Sequence, residues 1–324
     1  MPTLPIRIAA TGLYAPEGRL TNAILAERCG VSIDWILRRC GIDERRVAAP
    51  HEACSDLCIA AARNALAAGC LTGDDMDLIL VATATPDTVI PSTASRVQAA
   101  LCTRPVAGFD ISGACAGFHF ALSTGATAIA AGTAGRVLVI GAEVRSRFTN
   151  PADPSTAILY GDGAGAVILE RAADTGSAIL HLSAGMDGTQ GHLVGIPAGG
   201  SRLPASHATV NERLHTVRLD GTALFRTGVR CLVDAIEKAL AESGLSKDDI
   251  ALYVPHQMNR RMLQTIAQKL DVDFGRFFVN VERYGNTSAA TIPMALAEAE
   301  REGRIRRGQL ACLATFGGGI AWGI

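Results

Sequence analysis

The sequence predicts an α/β protein made of two similar halves, and three observations lead to this expectation. The chain has 324 residues, enough for one large domain or two of medium size. Apolar runs typical of strands alternate along it with patterns typical of helices. The segment Leu71–Val81 resembles Leu245–Pro255, 174 residues further on, and two weaker matches follow in the same order. We therefore expect two related halves, over 1–175 and 176–324.

The predicted strands are short runs of Val, Ile, Leu and Ala bounded by turn residues. They are Leu78–Ala82, Val137–Ile140, Ala164–Leu169, Leu252–Val254, Phe277–Val281 and Leu310–Ala314. The predicted helices have apolar residues at helical spacing and cover Ser55–Ala68, Thr93–Leu101, Ala116–Ala131, Gly221–Ser243, Arg260–Leu270 and Ile292–Arg301. Turn-forming residues cluster at Phe148–Pro154 and Pro197–His207, where we expect loops.

Charge and composition exclude several classes of protein. Lys and Arg number 30 against 31 Asp and Glu, and a net charge of −1 disfavours a nucleic-acid binder, which needs a basic excess. A hydrophobic content of 48% with 19% charged residues excludes intrinsic disorder. The nine cysteines are odd in number and no signal-peptide pattern opens the sequence. We therefore expect a reducing, cytoplasmic location, with most cysteines buried.

One stretch has the length of a membrane span. Ile111–Gly135 contains no Asp, Glu, Lys or Arg, and about 20 apolar residues suffice to cross a bilayer. The stretch is, however, rich in Gly, Ala, Ser and Thr, includes His119, and lacks the density of Leu, Ile and Phe that drives insertion. We therefore expect a helix buried between other layers of the fold, and no membrane insertion.

Cys115 is the first candidate for chemistry, because it comes directly before the helical run Phe118–Ala131. A thiol at a helix N-terminus faces unpaired N–H groups and the positive end of the helix dipole. Both favour the thiolate, so we expect a pKa below the usual value of about 8.5. Small neighbouring residues leave room for a substrate. The position by itself fits a buried core cysteine equally well.

Two further residues fit a thiol nucleophile. His256 follows the predicted strand Leu252–Val254, and histidine is the usual partner of a nucleophilic cysteine or of a developing oxyanion, although a structural histidine is commoner. Asn286 lies in the turn that corresponds to the Cys115 turn in the repeat, where its amide either donates to an oxyanion or caps a helix. Functional groups gather at the carboxyl ends of strands, so we expect the two turns to meet where the halves join.

Two glycine clusters have different contexts. Gly161–Gly165 leads into a strand instead of a helix, which favours a structural turn over a phosphate site. Phe316–Ile320 follows the last predicted strand and holds three consecutive glycines, whose N–H groups can approach a ligand and donate to an oxyanion. The spacing of cysteines and histidines does not match a metal site, so we expect no metal.

Together these residues resemble a known family, the β-ketoacyl-acyl-carrier-protein synthases III. The resemblance covers essentially the whole chain and rests on five motifs in the family's order and spacing. They are Gly113-Ala-Cys-Ala-Gly-Phe118, Gly161-Asp-Gly-Ala-Gly165, Val254-Pro-His-Gln-x-Asn259, Gly285-Asn-Thr-Ser-Ala-Ala290 and Phe316-Gly-Gly-Gly319 with Trp322-Gly323. The resemblance implies the thiolase-like fold, in which two pseudo-symmetric βαβαβ-type halves pack in αβαβα layers, and the internal repeat agrees with it.

The resemblance also implies a role for each matching residue. Cys115 would be the acylated nucleophile, while His256 and Asn286 would stabilise the enolate formed when malonyl-acyl-carrier protein loses CO₂. The N–H groups of Cys115 and Gly318 would form the oxyanion hole. Acyl-CoA and malonyl-acyl-carrier protein would be substrates, with no cofactor, and the enzyme would be a homodimer. The residues that would bind CoA or its pantetheine arm are Trp35, Arg39, Arg261 and Asn259.

Three departures from the family pattern bear on the substrates. Pro154 stands where many members have an Arg that contacts the CoA adenine, so we expect a different arrangement there. Ile90 stands where many acetyl-primed members have a Phe that lines the acyl pocket of the partner subunit, which predicts room for a primer longer than acetyl. The sequence stops at Ile324, several residues before the usual final strand ends, so we expect a short closing strand.

The leading hypothesis is a condensing enzyme that starts acyl-chain synthesis from an acyl-CoA primer and malonyl-acyl-carrier protein. An alternative within the same fold is a secondary-metabolism acyltransferase that passes the acyl group of Cys115 to an oxygen, nitrogen or other carbon nucleophile. The pair of His256 and Asn286 favours condensation, because transfer to a heteroatom needs no enolate donors. A third hypothesis, a non-catalytic partner subunit, ranks last because Cys115 is present with its full motif.

Overall fold

The computed structural model describes residues 5–172 and 177–324. The strands before the gap are β1 (Ile6–Tyr14), β2 (Gly18–Thr21), β3 (Glu44–Val47), β4 (Leu78–Ala82), β5 (Ala107–Ile111), β6 (Arg136–Val144) and β7 (Asp162–Arg171). The helices there are α1 (Asn22–Cys29), α2 (Ile33–Cys40), α3 (Cys54–Ala68), α4 (Thr93–Leu101), α5 (Gly117–Ala130) and α6 (Pro154–Ala157). The predicted boundary between 175 and 176 lies outside the described residues.

The second part of the chain has the same alternation of strands and helices. Its strands are β8 (Ala184–Met186), β9 (Val194–Gly195), β10 (Arg218–Leu219), β11 (Ile250–Pro255), β12 (Leu310–Gly317) and β13 (Ala321–Gly323). Its helices are α7 (His207–Asn211), α8 (Gly221–Ser243), α9 (Arg260–Lys269), α10 (Val281–Tyr284) and α11 (Thr291–Arg301). The last strand, β13, has three residues.

Helix α8 shows why some predicted bounds hold to the residue. The Asp220 side chain accepts hydrogen bonds from the N–H groups of Thr222 and Ala223, and Gly244 ends the helix in the left-handed conformation at φ 67°. Helix α4 also has its predicted bounds and is capped by Ser92, whose hydroxyl accepts from the N–H of Ser95. Both ends of such helices are therefore encoded in the sequence itself.

The two large sheets share one strand order. The first has the order β1-β7-β6-β4-β5, in which β4 runs parallel to both β5 and β6. The second has the order β8-β13-β12-β11, with β11 parallel to β12. On the free side of β11, Phe277 forms a parallel bridge with Tyr253, where β5 pairs with β4 in the first sheet. The second sheet thus repeats the first, with its fifth strand reduced to one bridge.

The predicted strand Phe277–Val281 is therefore wrong beyond Phe277, and the side chain of Gln257 explains why. Its Oε1 accepts hydrogen bonds from the N–H groups of Asn280 and Val281 at 3.1 and 3.3 Å. Its Nε2 donates to the carbonyl of Phe278 at 3.0 Å. A side-chain amide thus takes the hydrogen bonds that a neighbouring strand would supply, and the chain turns into α10 at Val281.

The layers follow from which faces of the sheets are buried. Helices α3 and α4 cover one face of the first sheet, and α8 and α9 cover the outer face of the second. Helices α5 and α11 lie between the two sheets, as the shared cluster of Phe118, Leu122, Ile292 and Leu313 shows. This αβαβα arrangement confirms the predicted fold class.

Small residues let the middle layer pack closely. A Cβ atom added at Gly141 in β6 would lie only 2.3 Å from the carbonyl oxygen of Ala289, just before α11. One added at Gly323 in β13 would lie 2.1 Å from the ring of His119 in α5. Helix α5 is thus the buried helix expected within Ile111–Gly135. Across the described residues, none of the helices has the length and apolar character that a membrane crossing requires.

The cysteines divide into more classes than predicted. In the described part of the chain all nine are free thiols, and four of them are buried: Cys40, Cys54, Cys58 and Cys312. Cys70 is exposed, and the other four, Cys115 among them, are half-buried. The prediction that most cysteines are buried is therefore wrong, because fewer than half of them are.

Candidate active site

Two equivalent turns bring the predicted site residues together. Cys115 lies in the 3-10 turn Ala114–Ala116, which leads into α5, and Ser288 opens the 3-10 turn Ser288–Ala290, which leads into α11. Ala114 and Ser288 both have left-handed backbones, at φ 47° and 54°, and they are separated by the repeat distance of 174 residues. The Sγ of Cys115 lies 3.3 Å from the Oγ of Ser288. The two turns therefore meet where the sheets face each other, as predicted.

The Cys115 thiol is held in its protonated form, contrary to the expectation from the helix N-terminus. Burial is the largest effect and raises the pKa of Cys115, and the carboxylate of Glu143 acts in the same direction. The charge of Arg145 and the hydrogen bond to Ser288 lower it, but they do not offset burial. The prediction of a lowered pKa is wrong because the loss of water around the thiol outweighs the groups that favour the thiolate.

His256 follows β11, and its ring faces the thiol's cavity through one free nitrogen. Its backbone N–H donates to the carbonyl of Ala314 in β12, at 2.7 Å. The Nδ1 lies 2.7 Å from the hydroxyl of Thr291, while the buried Nε2 has no hydrogen-bond partner among the described residues. Burial, helped by the charge of Arg145, lowers the pKa of His256 to about 3. The ring is therefore neutral at physiological pH.

Asn286 uses its atoms for two different purposes. Its Oδ1 accepts a hydrogen bond from the N–H of Ser288 at 2.8 Å, which is the capping role considered above. Its backbone N–H donates to the carbonyl of Leu159, and its carbonyl accepts from Gly161. With Oδ1 engaged, Nδ2 is the atom left to donate into the cavity that Asn286 lines.

The end of β12 packs against the nucleophile. A Cβ atom at Gly317 would lie 2.9 Å from the backbone nitrogens of both Cys115 and Ala116, so only glycine fits. The Thr315 hydroxyl donates to the carbonyl of Cys115 at 2.9 Å and fixes that turn. Within the described residues, the N–H groups of Cys115 and Gly318 make no backbone hydrogen bond. Both remain available as donors.

A cavity of about 600 Å³ connects these groups with the surface. The predicted site residues that line it are Cys115, His256, Asn286, Gly318, Arg39, Arg261 and Asn259. Arg39 and Arg261 are exposed, whereas Asn259 also caps α9, its Oδ1 accepting from the N–H of Met262. Ser155, which lines the cavity, follows Pro154 at the first position of α6.

Two of the predicted residues do not line this cavity. Trp35 is half-buried on α2, one turn before Arg39, and packs in the cluster around Ile36 and Cys40. Ile90 projects from the loop between β4 and α4 with 86% of its surface exposed. Their roles stay predictions, and for Ile90 the predicted contact is with a partner subunit.

The other glycine cluster is structural, as predicted. A Cβ at Gly161 would overlap the carbonyl oxygen of Tyr284, and one at Gly165 would lie 2.5 Å from the nitrogen of Met294 in α11. The buried carboxylate of Asp162 accepts hydrogen bonds from the N–H groups of Ala48 and Ser146. The cluster therefore lets β7 approach α11 closely.

Several groups around the thiol were not predicted from the sequence. They are Glu143, Arg145, Tyr160, Ser288 and Thr291, which are all buried. Glu143 is the penultimate residue of β6 and Arg145 directly follows the strand, so a signal was present: charged residues at the carboxyl end of an apolar strand. Ser288 and Thr291 gave no such signal, because hydroxyl residues are common at the starts of helices.

Comparison with known proteins identifies the family. A family model described as 3-oxoacyl-[acyl-carrier-protein] synthase III matches residues 109–188, and one for the C-terminal part of the same enzymes matches 240–324. The β-ketoacyl-[acyl-carrier-protein] synthase III of Desulfitobacterium hafniense is 42% identical over 98% of this chain and 96% of its own. That of Methylococcus capsulatus is 44% identical over 98% of this chain and 97% of its own.

Solved structures agree in fold over the whole chain. The crystal structure of the 3-oxoacyl-[acyl-carrier-protein] synthase III of Aquifex aeolicus superposes with a TM-score of 0.90 at 39% identity, covering 98% of both chains. The enzyme of Pseudomonas aeruginosa gives 0.90 at 37% identity, covering 98% of this chain and 96% of its own. With its sheets, its turns and its sequence in agreement, this chain belongs to the β-ketoacyl-[acyl-carrier-protein] synthase III family.

Proposed function

We propose that this chain catalyses the condensation that initiates fatty acid or related acyl-chain synthesis, joining an acyl-CoA primer to malonyl-acyl-carrier protein. The observation that carries the proposal is one cavity lined by Cys115, His256 and Asn286, where Nε2 of His256 is buried without a hydrogen-bond partner among the described residues. Cys115 lies in the turn before α5, Asn286 directly precedes the turn region before α11, and His256 follows β11, so ordered elements position all three. The names of the relatives point to the same reaction.

In the first half-reaction the primer is transferred to Cys115. The sulfur attacks the thioester carbonyl of acyl-CoA, the new S–C bond forms as the C–S bond to CoA breaks, and the thiol proton leaves with CoA. The N–H groups of Cys115 and Gly318 donate to the oxyanion of the tetrahedral intermediate. Arg145 favours the thiolate as it forms, since its charge lowers the pKa that burial raises.

In the second half-reaction malonyl-acyl-carrier protein loses CO₂. Breaking the bond to the carboxylate leaves an enolate, whose oxygen accepts hydrogen bonds from Nε2 of His256 and Nδ2 of Asn286. The enolate carbon then attacks the acyl carbonyl on Cys115, a C–C bond forms, and the thiolate leaves and takes up a proton. His256 donates while neutral, in line with its pKa of about 3.

The rim of the cavity suits the two carriers. Arg39 and Arg261 are exposed cations at the entrance, where they would meet the phosphates of CoA or the acidic surface of a carrier protein. We propose a homodimer, because Val89 and Ile90, two apolar residues in the loop between β4 and α4, are 90% and 86% exposed. Light scattering is expected to give twice the mass of the chain. The odd number of cysteines supports a cytoplasmic location.

Transfer of the acyl group to a heteroatom is the weaker candidate. It would require a base for an incoming hydroxyl or amine, whereas the neutral His256 ring, with its pKa of about 3, is a poor proton acceptor. No feature of the described residues favours this reaction over condensation.

The proposed condensation is tested by measuring the release of CO₂ from malonyl-acyl-carrier protein. Malonyl-acyl-carrier protein labelled in its free carboxylate is incubated with the purified protein, with and without acyl-CoA. We expect labelled CO₂ only when acyl-CoA is present, and none from Cys115→Ala, whose intact mass should show no acyl adduct. An acyl-enzyme that forms on Cys115 without any release of CO₂ would refute condensation and favour the heteroatom acyltransferase.

A further inference from the structure

A charged side chain lies in the wall of the cavity next to the nucleophile. Arg145 follows β6 at the carboxyl end of the strand, lines the cavity together with Cys115, and has only 6% of its surface exposed. Its guanidinium carbon lies 5.6 Å from the ring centroid of Tyr160, which lines the same cavity. Neighbouring wall residues such as Ile158 and Val217 are apolar. A neutral acyl chain would form no ion pair with a cation at this place.

Arg145 has no carboxylate partner among the described residues. The carboxylate of Glu143, two residues earlier, is engaged elsewhere. It accepts hydrogen bonds from the N–H of Ala84 at 3.2 Å, from the hydroxyl of Thr85 at 2.7 Å and from the hydroxyl of Ser288 at 3.1 Å. The Nε of Arg145 is buried and has no hydrogen-bond partner in the described part of the chain.

The guanidinium nevertheless carries its charge. Burial lowers the pKa of Arg145, but Glu143, Tyr160 and Cys115 together raise it above its ordinary value. A buried cation is stable only when an anion or several hydrogen bonds compensate its loss of water, and removing that compensation costs several kcal/mol. Glu143 supplies part of this compensation without forming an ion pair with Arg145, and the guanidinium lines the cavity, where an anionic group could pair with it directly.

We propose that the primer is a short dicarboxylic acyl-CoA, whose distal carboxylate pairs with Arg145 and accepts a hydrogen bond from the Tyr160 hydroxyl. This inference rests on the proposed function, because it names the substrate class of the same site. The Tyr160 hydroxyl forms no other hydrogen bond with the described residues, so it is free to donate. The acyl chain is short because Arg145 also interacts with the thiol on which the thioester forms.

The chemistry of the transfer is unchanged by the second carboxylate. The C–S bond to CoA breaks, the bond to the sulfur of Cys115 forms, and the thiol proton leaves with CoA. The distal carboxylate keeps its charge and only orients the chain.

The first test compares primers of matched length on the full-length protein. Acylation of Cys115 is followed by intact mass with succinyl-CoA and glutaryl-CoA, and with butyryl-CoA and pentanoyl-CoA as uncharged counterparts. We expect the dicarboxylic primers to acylate Cys115 faster by on the order of a hundredfold. An uncharged primer would place its apolar end against Arg145 and leave that buried charge without a partner. A wild-type protein that prefers the uncharged primers overturns the proposal, whatever the variants show.

The second test exchanges the charge. Arg145→Leu is expected to lose the preference for dicarboxylic primers or to reverse it, Arg145→Lys to retain part of it, and Tyr160→Phe to weaken it. Alkylation of Cys115 by iodoacetamide checks the thiol in each variant. If Arg145→Leu slows alkylation and acylation by all primers equally, Arg145 serves the thiol alone and the proposal is wrong. Failure of the proposed function is distinct from this, because it would abolish CO₂ release with every primer.

Discussion

The Nδ1 atom of His256 lies 2.7 Å from the hydroxyl oxygen of Thr291, in the first turn of α11. The same hydroxyl lies 2.9 Å from the carbonyl oxygen of Ser288. A hydroxyl has one proton, so it donates either to the ring or to the carbonyl. Both contacts form together when the hydroxyl donates to the carbonyl of Ser288 and accepts from Nδ1–H of His256, which leaves Nε2 without a proton. Donation from Nε2 to an enolate requires the Thr291 hydroxyl to turn from the carbonyl of Ser288 to Nδ1, so Thr291 controls the tautomer of His256.

The first prediction concerns this positioning role of Thr291. Thr291→Val keeps the shape of the side chain but removes the donor, so decarboxylative condensation should fall by about ten- to a hundredfold. Acylation of Cys115 should stay within a few-fold of wild type, because it does not use Nε2. Thr291→Ser restores the hydroxyl and should recover most of the condensation rate. Equal loss of both half-reactions in Thr291→Val, measured by intact mass and CO₂ release, would show that Thr291 is only structural.

The second prediction separates the two half-reactions at Asn286. Asn286→Ala removes the Nδ2 donor, and condensation should fall by on the order of a hundredfold or more. It also removes the Oδ1 that accepts from the N–H of Ser288, so a smaller loss of acylation is expected. Single-turnover acylation and CO₂ release are measured on the same preparation. Losses of equal size would contradict the donor role.

The third prediction concerns the pH dependence of the nucleophile. Burial raises the pKa of Cys115, so its thiolate fraction at any given pH is smaller than that of an ordinary thiol. Its alkylation by iodoacetamide should therefore keep rising with pH beyond about 8.5. Peptide mass spectrometry distinguishes Cys115 from the other cysteines, and the exposed Cys70 provides an internal reference for reagent access. A rate that levels off near neutral pH would contradict the raised pKa.

The fourth prediction concerns the contact between Gly141 and Ala289. A methyl group at position 141 would push the turn Ser288–Ala290 away from β6, because its Cβ would lie 2.3 Å from the carbonyl of Ala289. We expect Gly141→Ala to lower the free energy of unfolding by about 1–3 kcal/mol and to slow acylation of Cys115. Urea denaturation measures the first effect. Gly188→Ala is the control, since no atom lies within 4 Å of its added Cβ and unchanged stability is expected.

The fifth prediction concerns Ile90, which does not line the cavity of its own chain. If the partner subunit's cavity receives it, Ile90→Phe should narrow that cavity and shift the primer preference toward shorter chains. Acylation rates across primer lengths measure the shift, and light scattering confirms that the variant has the same mass as wild type. An unchanged preference in a dimeric variant would remove Ile90 from the acyl pocket.

The fold could be predicted to the extent that local sequence determines it. Apolar runs marked the central strands, and caps such as Asp220 and Gly244 fixed the ends of a helix. The strand proposed at Phe277–Val281 failed because a distant glutamine side chain satisfies that segment. No local pattern encodes such a contact.

The candidate site divides in the same way. The sequence motifs indicated Cys115, His256 and Asn286, and the structure places all three on one cavity. The pKa of Cys115 was predicted in the wrong direction, because burial depends on the packing of both sheets. Arg145 was missed although it follows an apolar strand, because the sequence alone does not show that this charged side chain is buried in the wall of the cavity.

The narrowness of the middle layer has a consequence for catalysis. Helices α5 and α11 carry the two functional turns at their N-termini, so the width of the side chains between them sets the distance from the nucleophile to its partners. The small side chains of glycine and alanine in this layer thus set the spacing of the active-site groups. A larger residue in this layer would alter the spacing of the reacting groups without contacting any of them. Substitutions far from Cys115 would therefore change the reaction rate.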